Sequence, residues 1–578
     1  MISKYNSELL SIIRKISNND LDNFSEYITN YLEINKDKIS KISLNEAILI
    51  NHLDIKKDEL SDILLKYGAD ENILKINTYF TGQKKFKKEN KNFFRANNFF
   101  YKRDRVMLKL ILEELGHPEK SIPPLIHITG SNGKGSVACF IENILKENGY
   151  TVHKFTSPSM INDSENYIVA GKRVNNDLFY NALNEVKRAY NNIKDTDRFK
   201  SMIEEADKED IKNNKNGLNE ENIKTNKDIE KVLFWIFGIA SGILIFSKIK
   251  ADYTIIEVIN GGLNDLTNIF TKNETIATVI TPIITGDNHI KSFGRTIPER
   301  ADQKTRLCKY GKPIITSKQR DDAIIVMKGI AREFNCPIYI EDSDYTIQNK
   351  DDYFIFEGFN KKIDIPYPKS WASSFQIQNA SLALATLFTL NIKLDDTKIQ
   401  KSIQNFNKFG ESTIIKDGNF INSELKNKYK VILARCKNHK GLELNLEYLN
   451  SIKKDKIVYT IFSMADHQTQ EGTVKILENL KKYKDTTQHL LVVNYHNKKT
   501  MEKEKMEKLF TEYNIEYKYF DEVSLAIDYF FEEIKKSNKK HILFFAPLVY
   551  KFYGYLYMLN CSKELLKRQK QGKIKKIK

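Results

Sequence analysis

Seven residues constrain this chain more than any other stretch: Gly130-Ser131-Asn132-Gly133-Lys134-Gly135-Ser136, set between an apolar run, LIHIT, and a helix-forming run, VACFIENIL. Glycines let the backbone turn tightly and aim successive N–H groups at phosphate oxygens, and the helix that follows adds its positive N-terminus. Lys134 is placed to neutralise β- and γ-phosphates, and Ser136 to reach Mg²⁺. The spacing departs from the generic GxxxxGK[ST] loop, because Gly135 separates the lysine from the hydroxyl. Strand before, helix after, and lysine plus hydroxyl in register together imply a phosphate-binding turn in an α/β domain.

The surroundings repeat that alternation. The helix-forming RDRVMLKLILEELG precedes PLIHIT, and strand-like runs return at TVHKFT, ADYTIIEVI, IATVITPII and KPIIT. Such a succession predicts a mostly parallel, doubly wound sheet over residues 101–398. It is interrupted at 190–229, a polar, charged segment expected to be a flexible surface insertion. A second alternating unit, 399–560, carries the strands YKVILA, DKIVYTIF, HLLVVNY and HILFFAP, with helices such as EGTVKILENLKKY. Residues 1–78 read as a helical extension, in which SLNEAILINHLDIKKDELSDILLKYGADEN is similar to one degenerate ankyrin repeat. A single repeat cannot bury its own apolar face, so the extension is a possible docking site for a protein partner. Residues 79–100 form a basic linker and 561–578 a basic tail.

Charge and composition narrow the partners. The 92 Lys+Arg against 75 Asp+Glu leave a net charge of +17. Lysine, asparagine and isoleucine are spread throughout, which is a compositional habit and not a nucleic-acid surface. The uncharged run Val232–Phe246 has 15 residues. As a helix it rises about 22 Å against the roughly 30 Å of a bilayer core, so a buried helix is expected and no membrane association. The five cysteines contain no CxxC pair and the first residues lack a signal-peptide core. Both point to a reducing, cytoplasmic setting.

The blocks beyond the loop bring in a family. Met107–Ser159 resembles folylpolyglutamate synthase/dihydrofolate synthase, of the Mur-ligase superfamily, almost throughout. Glu257-Val258-Ile259-Asn260-Gly261-Gly262 with Asp265-Leu266-Thr267-Asn268 matches its E-V-x-x-G-G-x-x-D-x-T-N stretch. His289, Phe293-Gly294-Arg295-Thr296 and Lys304 match its H-x-x-x-L-G-x-T and the lysine beyond. Gln376, Asn379 and Ala380 match H-Q-x-x-N-A, and Met464-Ala465-Asp466 sits at its M-x-D turn. The resemblance spans about residues 100–560.

The resemblance implies a Mur-ligase-like ATPase domain with a mostly parallel sheet, a smaller α/β C-terminal domain, and the helical extension as an addition. It implies ATP and Mg²⁺ as cofactors, and a folate or pteroate with L-glutamate as substrates. The carboxylate would be phosphorylated and the acyl phosphate then attacked by glutamate's amine. It assigns Mg²⁺ to Ser136, Glu257 and His289; catalytic roles to Lys134, Lys304 and His289; and nucleotide contacts to the loop, Asn268, Gln376, Asn379 and Asn438. The family's lysine at the Lys304 position is carbamylated. The chain also departs from the pattern. Phe375 replaces the histidine of H-Q-x-x-N-A, Leu263 replaces the arginine of G-G-R, and D-G-A-H-N becomes Ala434-Arg435-Cys436-Lys437-Asn438. A rival expectation follows from those losses: a relative that binds ATP without turnover and works as an interaction protein.

Overall fold

The computed structural model of the protein describes residues 4–17, 23–54, 58–71, 73–74, 102–159, 163–212, 226–284, 296–367, 375–406, 413–466, 469–494, 500–548 and 551–560. The basic linker, the basic tail, His289 and residues 293–295 lie outside them. The chain divides into two compact units, one of residues 87–408 with the last few residues, the other of residues 1–86 with 409–570.

The second of these begins with four helices, α1 (Lys4–Ser17), α2 (Phe24–Asn35), α3 (Lys41–Asp54) and α4 (Asp58–Lys66). The α4 helix ends where Gly68, at φ +103°, takes the left-handed conformation that closes the LLKYGAD turn. The same unit holds a six-stranded sheet. Its strands are β12 (Thr413–Ile415), β13 (Tyr429–Leu433), β14 (Ile457–Ser463), β15 (His489–Val493), β16 (Lys518–Phe520) and β17 (His541–Pro547). Their order is β12-β13-β17-β14-β15-β16, parallel apart from the edge strand β12. The apolar runs expected as strands are buried along nearly their whole length, as helices on both faces of a parallel sheet require.

The helices of the extension pack on one another, and α3 also packs on the C-terminal lobe. Glu46 of α3, 1 % exposed, accepts from Ser524 N (2.9 Å), Val523 N (3.3 Å) and Tyr555 Oη (2.5 Å). The first two donors are the opening N–H groups of helix Val523–Lys535, whose own N-cap, Glu522, makes no side-chain cap. A carboxylate from one end of the chain thus caps a helix at the other. Further along that helix, Asp528 Oδ2 accepts from Asn6 Nδ2 (2.8 Å), Ser40 Oγ (2.7 Å) and Ser43 Oγ (3.4 Å). Arg14 pairs with Glu522.

The larger unit carries an eight-stranded sheet. Its strands are β1 (Leu125–Thr129), β2 (Val152–Phe155), β3 (Tyr167–Val169), β4 (Lys172–Arg173), β5 (Tyr253–Glu257), β6 (Thr275–Ile280), β7 (Ile314–Thr316) and β8 (Ile338–Ile340). They run in the order β4-β3-β2-β5-β1-β6-β7-β8. The six from β2 to β8 in that row are parallel and β3 and β4 are antiparallel. A separate antiparallel sheet, β9 (Tyr345–Asn349), β10 (Tyr353–Gly358) and β11 (Lys361–Pro366), was not foreseen. The first four strands expected from sequence, β1, β2, β5 and β6, occupy the centre of the large sheet.

Two helices correct or sharpen the reading. The run Val232–Phe246 lies within one helix, Asn226–Lys248, that buries Ile236, Phe237, Ala240 and Ile243. No helix among the described residues is long and apolar enough to cross a membrane. The segment 190–229, expected to be a flexible insertion, contains the helix Asp197–Lys212. That helix lies against helix Lys102–Glu114: Arg198 makes a bidentate pair with Glu113, and Asp210 accepts from Lys102 N at 2.8 Å. Polar composition hid it: Phe199 and Ala206 are its buried apolar residues, and charged side chains make the contacts to the neighbouring helix.

Candidate active site

The phosphate loop joins β1 to the helix Lys134–Glu147, as the sequence implies. Two of its glycines are steric requirements. Gly130 has φ +132°, and a Cβ there would stand 2.0 Å from Thr281 Oγ1; Gly133 has φ +88°, and a Cβ would stand 2.3 Å from Asn379 Oδ1. The helix starts at Gly133 without a side-chain cap, so its N-terminus faces the loop as a field of N–H groups.

Two cations converge on this turn. Lys134 Nζ donates to Gly130 O at 3.3 Å and Lys304 Nζ to the same oxygen at 2.9 Å. Both lysines are buried, at 8 % and 5 % exposed. Glu257, at the end of β5 beside β1, places Oε1 3.7 Å from Lys134 Nζ, while its Oε2 accepts from Ser157 N at 3.3 Å. Ser136 Oγ receives Gln376 Nε2 at 3.4 Å, and Gln376 Oε1 accepts from Asn379 Nδ2 at 3.0 Å. The structure therefore brings together Gly130–Ser136, Lys134, Glu257, Lys304, Gln376 and Asn379. They lie more than 200 residues apart in sequence at the extremes.

The Glu257–Asn268 loop holds Lys304 in place. Leu263 N donates to Gln303 O at 2.7 Å, and a Cβ on Gly262 would stand 2.9 Å from Lys304 Cα. Asp265 ties the loop by accepting from Asn260 N (2.6 Å), Thr267 N (2.9 Å) and Thr267 Oγ1 (2.6 Å). Burial outweighs those donors and pushes its carboxyl up to about 6. Asn268, expected at the nucleotide, has its amide engaged in the loop: Nδ2 donates to Leu263 O at 3.0 Å and Oδ1 accepts from Lys309. The sequence reading quoted Ser157 and Gly262 within matched blocks but gave them no role, and it missed Thr281. The signal for Gly262 was the pair Gly261-Gly262 itself, and for Ser157 its place two residues past β2.

A hard divalent ion fits the donor set near the loop. One carboxylate (Glu257) and one hydroxyl (Ser136) are oxygen ligands, and Mg²⁺ commonly takes one or two protein oxygens beside phosphates and water. Among the described residues no group of three or more His, Cys, Asp and Glu forms a closed metal cage. His289, expected as a further ligand, lies outside the described residues.

In the other unit, Asn438 caps the helix His439–Lys453: its Oδ1 accepts from Gly441 N at 2.9 Å. Ala434 is buried where β13 ends, with its N–H on Phe545 O (2.9 Å), and Lys437 is exposed. Asp466 makes an ion pair with Lys505.

A glycine-rich strand–turn–helix and a mostly parallel sheet followed by a smaller α/β lobe define a Mur-ligase-like fold. The chain is similar to folylpolyglutamate synthases and dihydrofolate synthases. It is 29 % identical over 289 residues to the dihydrofolate synthase/folylpolyglutamate synthase of Bacillus subtilis, a match covering 49 % of this chain and 59 % of that protein. The first three curated relatives are spanned over only 31–59 % of their length. Escherichia coli FolC in complex with ADP superimposes with a TM-score of 0.61 at 18 % identity, covering 80 % of this chain and 94 % of that one. The Yersinia pestis bifunctional folylpolyglutamate synthase/dihydrofolate synthase complexed with AMPPNP and a Mn ion gives 0.60 at 16 %, covering 79 % and 93 %. No protein-family model matches the chain.

Proposed function

We propose that the protein is an ATP-dependent ligase that joins L-glutamate to a folate or dihydropteroate carboxylate. The observation that carries this reading is the convergence of Lys134 and Lys304 on Gly130 O, beside Glu257 and the open helix N-terminus. Buried, fixed cations at a phosphate turn suit phosphoryl transfer, whose catalysis is mostly positioning and electrostatic stabilisation. The similarity to dihydrofolate synthase/folylpolyglutamate synthase supports the choice of substrates, and the structural neighbour complexed with AMPPNP and Mn supports a nucleotide with a divalent ion.

In the reaction the substrate carboxylate attacks the γ-phosphorus, ADP leaves, and an acyl phosphate forms. The amine of glutamate then attacks the acyl carbon and expels phosphate, giving the amide. Gly130–Ser136 bind the phosphates through backbone N–H groups; Lys134 and Lys304 offset the charge that builds on the transferring oxygens. Gln376 and Asn379 orient the loop, one through Ser136 Oγ and the other by filling the space that Gly133 leaves. Ser136 and Glu257, with His289 as a further ligand, would hold Mg²⁺, which supplies charge neutralisation at the phosphates. In this proposal Asn268 acts by holding the 263–268 turn, and Asn438 contacts nucleotide or glutamate from its helix cap.

The test is ADP release by purified protein with ATP, L-glutamate and either dihydropteroate or tetrahydrofolate. Release that needs both the pterin acid and glutamate is the expected result. ATP bound tightly, with no glutamate-dependent ADP release for either acceptor, would overturn the proposal.

A further inference from the structure

Past Ile280 the chain of β6 runs on as Thr281-Pro282-Ile283-Ile284, a strap with the phosphate loop along one edge. Ser131 N donates to Pro282 O at 3.0 Å, and Ile284 N donates to Ser131 Oγ at 3.2 Å. Thr281 N donates to Thr129 O at 2.9 Å, and the Thr281 side chain fills the space where Gly130 lacks one. Along the other edge, β7 ends at Thr316, level with Ile280 and one residue short of the strap.

The side chain of Gln319 continues the ladder from there. Its Oε1 accepts from Ile283 N at 3.0 Å, and its Nε2 donates to Thr281 O at 3.1 Å. A peptide unit in a parallel strand makes the same pair of bonds, to a C=O and an N–H two residues apart on its neighbour. The amide is anchored on β7, because Nε2 also donates to Thr316 Oγ1 at 3.1 Å and reaches Ser317 Oγ at 3.5 Å. Thr316 Oγ1 in turn donates to Ile280 O at 3.1 Å.

We propose that Gln319 is a positioning residue for the phosphate loop, holding the 281–284 strap against Ser131 so that the loop's N–H groups stay aimed at nucleotide phosphates. The proposal rests on the reading of Gly130–Ser136 as the ATP site. The strap presents a C=O and an N–H on one edge, and a primary amide is the neutral side chain that offers an acceptor and a donor together. Arg300, from the helix that carries Lys304, holds the far end of the strap, with Nη1 on Ile284 O at 2.7 Å. Without the Gln319 amide, Thr281 O and Ile283 N lose these partners at a half-buried position. The strap then shifts to recover them from water, and Ser131 moves with it.

The experiment compares the full chain with Gln319→Met, which keeps the length and removes both polar groups, and with Gln319→Glu, which keeps the shape and removes the donor. ATP affinity is measured by calorimetry at pH 8 and pH 5, and hydrogen–deuterium exchange of the peptide spanning Thr129–Ser136 is followed without nucleotide. Gln319→Met should lower ATP affinity by about tenfold, the size of losing one or two hydrogen bonds, and should speed exchange of that peptide. Gln319→Glu should match it at pH 8, where a carboxylate turns lone pairs toward Thr281 O. A carboxyl beside a carbonyl takes up its proton above the ordinary value of about 4.3. Near pH 5 the acid form donates to Thr281 O and accepts from Ile283 N, so Gln319→Glu should recover most of the affinity that the unmodified chain has at that pH, whereas Gln319→Met should not. Such a rescue separates a positioning amide from a residue that only adds stability. ATP affinity of Gln319→Met within about twofold of the unmodified chain, or a Gln319→Glu deficit that is the same at both pH values, would overturn the proposal. If Gln319→Met does not fold, the Gln319→Glu comparison decides alone. An unmodified chain that binds no ATP would overturn the reading of the loop; the exchange of Thr129–Ser136 needs no nucleotide, and unchanged exchange in both variants refutes the clamp itself.

Discussion

Asp528 offers the sharpest quantitative test, because its titration reports on the docking of the N-terminal helices. Burial, against the donors Ser40 and Ser43 and with Glu46 and Glu532 nearby, raises its carboxyl from 3.8 to about 7. An acid raised on folding stabilises the folded state below its unfolded value, and that stability is lost as pH rises through the folded value. The gap of about three units corresponds to roughly 4 kcal/mol at 1.36 kcal/mol per unit. Asp528 is partly open to solvent, so about 2–4 kcal/mol is expected after screening. Asp528→Asn keeps the shape and the acceptor oxygen but does not titrate. Its stability relative to the unmodified chain should therefore climb from pH 4 to pH 7, by up to about 1.4 kcal/mol per unit, and level off above. Hydrogen–deuterium exchange of peptides from Lys41–Asp54 and Val523–Lys535 is the suitable assay. A difference between the two proteins that does not change between pH 5 and 8, or that shrinks as pH rises, would refute the reasoning.

Glu46→Ala leaves Ser524 N–H, Val523 N–H and the Tyr555 hydroxyl without their acceptor, and should cost about 1–3 kcal/mol, read by exchange of the same peptides. Lys134→Ala should weaken ATP binding by about ten- to a hundredfold, the loss of 1.5–3 kcal/mol of a charged contact, measured by calorimetry on folded protein. Gly133→Ala forces a Cβ onto Asn379 Oδ1 at a positive φ, and should reduce ATP affinity at least as much while thermal unfolding of the C-terminal unit is unchanged. Glu257→Gln should abolish Mg²⁺-dependent turnover with little effect on unfolding; normal metal dependence would mean that Glu257 serves only as the partner of Lys134 and Ser157.

The phosphate turn was legible from the residues alone because everything it needs is local. Strand, glycines, lysine and helix lie within Leu125–Glu147, and the short-range sterics of Gly130 and Gly133 leave few alternatives. The parallel strands were legible for a similar reason: LIHIT, TIIE and HILFFAP are mainly apolar runs without polar alternation, as strands buried on both faces are. What needed the tertiary structure were relations between distant segments whose residues carry no pattern of their own. Lys304 meets Gly130 across 174 positions, and nothing in IPERADQKT marks that lysine as buried. The Asp197–Lys212 helix is written in charges that read as disorder until Lys102–Glu114 supplies the opposite ones. The extension is the clearest instance. Glu46 and Asp528 look like two solvent-facing acids in amphipathic helices, yet each is enclosed by donors from the other end of the chain. Sequence records periodicity and local geometry, whereas the desolvation of a charge depends on what the fold brings against it, and that is decided only when the segments pack.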